Sequence, residues 1–134
     1  MFGYPSNNVL QYQITAALPQ YFWHDRKEIG AYALCKGNKQ NYDFYIIEID
    51  VNLTKMSDGE KQERFGEARF AWGGDFNGRS YGYKPLKAET LVEAKAEVEA
   101  IYEKILVDAI NAVKAGLDAL VTEYAGFKEA QRRN

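Results

Sequence analysis

Residues 90–131 constrain this chain more than any other stretch. They contain no proline and consist almost entirely of good helix formers. Thr90 and Glu93 stand at the Ser/Thr-x-x-Glu spacing that starts a helix, where the hydroxyl accepts from a backbone N–H three residues on and the carboxylate reaches back. Apolar residues then recur at steps of three and four. One line is Leu91, Ala94, Val98, Ile101 and Ile105, and a second is Leu106, Ile110, Val113, Leu117, Leu120, Tyr124 and Phe127. A straight helix of this extent is roughly 60 Å long at 1.5 Å per residue. A compact domain of this chain length is only about 36 Å across. Such a helix does not fit inside one small globule. It either breaks, with Gly116 the expected point, or extends and finds a partner. The heptad-like steps through Val113, Leu117, Leu120, Tyr124 and Phe127 suit a helix–helix seam, and the expectation is a homo-oligomer joined there.

The remainder of the chain reads as strands. Leu10, Tyr12, Ile14, Ala16 and Leu18 alternate with Gln11, Gln13, Thr15 and Ala17, although Leu10, Ile14 and Ala17 also fit a helix over 8–18. Pro19 ends either element. The aromatic cluster Tyr21-Phe22-Trp23 precedes a charged turn, His24 to Glu28. Ile29 to Lys36 reads as a strand and Gly37-Asn38 as a turn. From Phe44 to Leu53 the residues Ile47, Ile49, Val51 and Leu53 point one way. Ile46, Glu48, Asp50 and Asn52 point to a mostly wet face. Ser57 and Glu60 repeat the capping spacing over a single helical turn, and Ala68, Phe70 and Trp72 mark another strand. Asn77-Gly78 predicts a two-residue type I′ hairpin that sets Phe76 against Arg79, Asp75 against Ser80, Gly74 against Tyr81 and Trp72 against Tyr83. Trp72, Phe76, Arg79, Tyr81 and Tyr83 then share one face, with Tyr81 lying across Gly74. Gly73, Asp75, Ser80 and Gly82 form the opposite face, small enough for another backbone to approach. Pro85 stops the sheet.

Strands followed by helix predict one α+β domain over 1–134: an antiparallel meander of about four to five strands, mainly within 1–85, with the helical segment 86–134 on one sheet face. With 134 residues, 46% hydrophobic and 27% charged, the chain can bury a core unaided. The single cysteine, Cys35, forms no internal disulfide and fits a reducing, cytoplasmic setting. No leader and no long apolar run is read, so no membrane partner is expected.

Chemistry is sparse. One His and one Cys leave little material for zinc, and Glu48, Asp50 and Asp43 on a half-exposed strand are more simply solvated than metal-bound. No metal or other cofactor is therefore expected. A Cys35–His24 nucleophile pair lacks a placed third group. The glycines stand in no phosphate-loop order. Single-stranded nucleic-acid binding would use Phe70, Trp72, Phe76, Tyr81, Tyr83 and Arg79, but a net charge of −2 argues against nucleic acid. Glu89, Glu93 and Glu97 form an acidic stripe at the helix start, able to engage a basic partner.

The leading expectation is a non-enzymatic binding or inhibitory protein acting through protein–protein contacts. Ten tyrosines suit a binding surface, and small acidic blockers of this kind are often encoded by mobile elements. Its contact residues are Trp72, Phe76, Arg79, Tyr81, Tyr83, Glu93 and Glu97. The alternative is a module that binds a nucleotide or metabolite in a pocket of Arg79, Tyr81, Tyr83 and Trp72. An enzyme using His24 or Cys35 is the third reading.

Overall fold

A computed structural model describes residues 18–37 and 41–133. The strand or helix expected over 8–18 lies outside the described residues except at Leu18. The architecture is α+β: a five-stranded antiparallel sheet in the order β1-β2-β3-β4-β5, followed by a long C-terminal helix. The strands are β1 (Tyr21–Arg26), β2 (Ala31–Lys36), β3 (Asn41–Glu48), β4 (Phe70–Phe76) and β5 (Arg79–Pro85). Two short helices, α1 (Ile49–Asn52) and α2 (Asp58–Phe65), join β3 to β4, and α3 is Leu91–Arg133. The chain divides into two compact units, Ala16–Tyr102 and a second that includes Glu103–Asn134. The first three turns of α3 belong to the former.

Within the sheet unit, antiparallel register places Trp23, Leu34, Phe44, Tyr32, Ile46 and Trp72 on one face. The first turns of α3 cover that face. Ala94, Val98 and Tyr102 are its buried residues. The Tyr102 ring meets Phe44 edge-on at 5.0 Å and Phe76 at 6.2 Å between centroids. Polar clamps fix the same turns to β1. The Tyr21 and Tyr102 hydroxyls are 2.9 Å apart, Trp23 Nε1 donates to Glu99 at 2.9 Å, and Lys95 Nζ donates to Asp25 at 2.9 Å.

The other face carries a smaller core. Ile47, Ile49, Phe65 and Ala71 cluster there under α1 and α2, with Leu53, Met56, Ala68 and Tyr83 at its edge. This second cover corrects the strand expected over Phe44–Leu53. Strand β3 stops at Glu48, and Ile49–Asn52 turn helical, with the Leu53 N–H bonded to the Ile49 carbonyl. Ile46 does not face water, because β3 is the central strand and both its faces are covered. Ile46 and Ile47 are both buried. The alternation of apolar and polar residues therefore overstated the strand and its exposure.

Other boundaries shift for local reasons. Tyr21–Arg26 is one strand, so His24 and Asp25 are strand residues rather than a turn. The reversal falls at Lys27–Ile29, and Gly30 closes it at φ 60°. A Cβ on Gly30 would lie 2.7 Å from Val51 Cβ, so only glycine fits. Helix α2 carries the expected capping box: Ser57 Oγ accepts from the Glu60 N–H and Glu60 accepts from the Ser57 N–H, each at 3.2 Å. It runs eight residues, longer than the single turn expected.

The Asn77-Gly78 hairpin forms, with φ of 50° and 81°. Its first three expected pairs hold, Phe76 with Arg79, Asp75 with Ser80 and Gly74 with Tyr81. The fourth does not. Trp72 pairs with Lys84, because Gly82 and Tyr83 together oppose Gly73 in a β-bulge. Tyr83 is thereby carried to the far face, where its ring lies 5.7 Å from Tyr45. The small-residue face expected around Gly73 is closed by the Tyr45 and Tyr83 rings, each 3.3 Å from where a Cβ would stand.

Helix α3 starts as expected. Thr90 Oγ1 accepts from the Glu93 N–H at 3.2 Å, while the Glu93 carboxylate reaches back to the Glu89 N–H at 3.1 Å. No break occurs at Gly116, so the helical-hairpin alternative is set aside in favour of one helix of about 64 Å at 1.5 Å per residue.

Candidate interaction surface

From Asn111 to Arg133 every residue of α3 is exposed. Side chains three and four apart share a helix face, so Val113, Leu117, Leu120, Tyr124 and Phe127 form a continuous apolar line. These five are 59–72% exposed. Ile110 and Val121 flank them and are also exposed. Contiguous apolar surface of this kind marks interaction sites in soluble proteins. The residues expected at an oligomer seam are therefore accessible and aligned on one face.

The residues expected to contact a ligand or partner separate into three settings. Trp72, 6% exposed, belongs to the core beneath α3. Its ring packs on Tyr81 at 5.5 Å and on Phe44 at 5.3 Å. Phe76 and Tyr81 are half-buried on the same face. Arg79 is exposed, with its guanidinium 5.0 Å above the Tyr81 ring, a cation–π contact at the hairpin tip. Glu93 and Glu97 hold the entry to α3. The Glu97 carboxylate accepts from the Lys87 and Ala88 N–H groups at 3.0–3.1 Å, and Glu93 caps Glu89 as described. Both carboxylates are thus engaged with backbone of their own chain.

Tyr83 lies elsewhere, in a shallow groove of about 200 Å³ on the sheet face away from α3. Ala31 and Ala33 floor the groove, while His24, Arg26, Tyr45, Asn52 and Tyr83 edge it. Burial pushes the Tyr83 phenol above its ordinary pKa of 10.0, the neighbouring Tyr45 adds to that, and Arg64 opposes it. Burial likewise raises Tyr32, on the helix-covered face, with the Glu48 and Asp25 carboxylates reinforcing the shift. The sequence reading missed His24, Arg26, Tyr45 and Asn52 as a group, since the pairing of β1 through β2 to β3 and the helical turn after β3 are what bring them together. Arg26 already pairs with Glu28 at 3.2 Å, and the Asn52 amide donates to the Ile29 carbonyl at 2.9 Å.

Cys35 is fully buried, and its thiol donates to the Ala33 carbonyl at 3.7 Å. Of the acidic trio considered for a cation, Glu48 ends β3 while Asp50 sits in α1, 3.8 Å from Lys61. Among the described residues no cluster of three His, Cys, Asp or Glu forms, and no helix is long and apolar enough to cross a membrane. No protein-family model matches the chain, and neither a curated protein nor a solved structure is significantly similar to it.

Proposed function

We propose that this is a non-enzymatic binding protein that works as a homo-oligomer joined through the C-terminal half of α3, in the cytoplasm. One observation carries the reading: five large apolar side chains stand in a line at heptad spacing, all of them solvent-exposed in the single chain. At about 25 cal/mol per Å², covering such a line is worth several kcal/mol to an assembly. The oligomer engages a protein partner, in the manner of a blocker or sequestering agent, with Arg79 and the hairpin tip as contact points. Light scattering at micromolar concentration tests the assembly. The expected mass exceeds one chain, and Leu120→Glu returns it to one chain while the near-UV circular dichroism of the sheet is kept. A native chain that stays monomeric at every concentration removes the proposal.

The groove supports a second reading, a small-ligand module for a nucleotide or metabolite, now centred on His24, Arg26, Tyr45 and Tyr83 rather than on Trp72. A ligand present at 100 times its Kd stabilises a protein by about 2.7 kcal/mol. A thermal-shift panel of nucleotides and metabolites reads that gain directly, and a flat response across the panel retires this reading.

A further inference from the structure

Resting on the self-association just proposed, we infer that the occupant of the exposed stripe is the same segment of a second copy, running parallel and in register. Ile110, Leu117 and Tyr124 recur every seven residues, as do Leu106, Val113, Leu120 and Phe127, and the two sets interleave at steps of three and four. They are the a and d positions of a coiled coil respectively, sustained without interruption for three heptads. The positions that flank this seam then follow. The e positions are Val107, Lys114, Val121 and Lys128, and the g positions are Ala109, Gly116, Glu123 and Ala130.

Charge at the flanks chooses the orientation. Parallel helices set each g residue beside the e residue five positions later on the partner, so Glu123 meets the second copy's lysine at position 128, twice by symmetry. Antiparallel helices set e beside e and g beside g. Every charge at e is Lys and the one charge at g is Glu. An antiparallel pair can therefore bring together like charges, or a charge and a neutral residue, but never Glu with Lys. Flanking charges of this type fix orientation and partner choice in coiled coils. Neither Glu123 nor Lys128 forms an ion pair within its own chain among the described residues. The small residues Ala109, Gly116 and Ala130 leave the g flank open to the partner.

Cross-linking of the full-length chain tests orientation separately from association. Val113→Cys and Tyr124→Cys are made singly. Cys35 is retained, since it is fully buried. Mild oxidation under native conditions is expected to link each variant to itself, because in-register helices place equal positions within the roughly 4.4–6.8 Å Cα separation a disulfide spans. An antiparallel pair has one crossing centre and cannot self-link at two positions 11 residues apart. Self-linking at only one of the two, or cross-linking only in the mixture of variants, overturns the parallel assignment while a two-chain mass keeps the association. A one-chain mass for the unmodified protein overturns both. A second measurement uses charge. Glu123→Lys and Lys128→Glu should each weaken self-association about tenfold. Mixing the two variants should restore it, since each then meets its complement. Equal affinity for either variant alone and for the mixture counts against the parallel pair.

Discussion

The two ends of α3 carry the same apolar spacing and meet opposite fates. Ala94, Val98 and Tyr102 lie against the sheet and are buried. Val113, Leu117, Leu120, Tyr124 and Phe127, likewise on one helix face at steps of four and three, are exposed. Periodicity thus reports that a helix face is built to be covered, and says nothing of what covers it. What distinguishes the ends is the company of polar groups. The first turns are clamped by directed bonds to β1, through Tyr102 to Tyr21, Glu99 to Trp23 and Lys95 to Asp25. Further along, Lys104 pairs with Asp108 and Arg132 with Glu129, each within the helix itself.

Paired truncations give the sharpest contrast. Phe44→Ala, in the fully buried centre of the sheet unit, should lower unfolding stability by about 3–5 kcal/mol. Phe127→Ala removes the same ring from the exposed stripe. It should leave the urea midpoint of tryptophan fluorescence nearly unchanged and instead raise the concentration at which the oligomer forms. Equal losses in the urea transition would erase the distinction between the two ends.

Glycine offers the next contrast. Gly30→Ala forces a side chain into a left-handed backbone and against Val51, and should lose roughly 1–2 kcal/mol or more, read by urea titration. Gly116→Ala meets open space in the middle of an exposed helix. It should raise helicity and add about 0.5–1 kcal/mol to the helix, seen in the 222 nm signal on heating. A gain at Gly30, or a loss at Gly116, would mean that the two backbones differ from those described.

The smallest effect concerns pH. The Tyr83 phenol has its pKa raised by burial, so the folded chain keeps that proton after the unfolded chain has released it. Its contribution is whole below about pH 10, the unfolded value, and is lost as pH rises through the higher folded value. The urea midpoint should fall above pH 10, and less steeply in Tyr83→Phe. Tyr32 adds to the fall in the same direction, which is why the comparison is with Tyr83→Phe rather than with a flat line.

Much of this fold was legible in the sequence, and the misreadings have physical causes. Local signals carried their own geometry: Asn77-Gly78 specified positive φ, Ser57 and Glu60 capped each other, and Thr90 opened α3. Signals that depended on neighbours misled. Val51 and Leu53 continued the alternation of β3, yet Ile49–Asn52 turn helical, and nothing in a period of two announces where a strand stops. The bulge opposite Gly73 moved Tyr83 because register past the first three pairs depends on the whole sheet. The groove was invisible for the same reason, since His24, Tyr45 and Tyr83 come from three different strands. The stripe was the most legible feature, since it lies on one helix and needs only a count of residues.

The bulge in β5 also sorts length changes from letter changes. Gly82 is the surplus residue opposite Gly73, so a chain shortened by one at that point leaves Arg79, Tyr81, Tyr83 and Lys84 each looking the way they already look. The same deletion at Ser80 would draw the following residues through one step and turn the Tyr81 ring out from over Trp72. Losing one residue at Gly82 should therefore be tolerated better than losing one at Ser80.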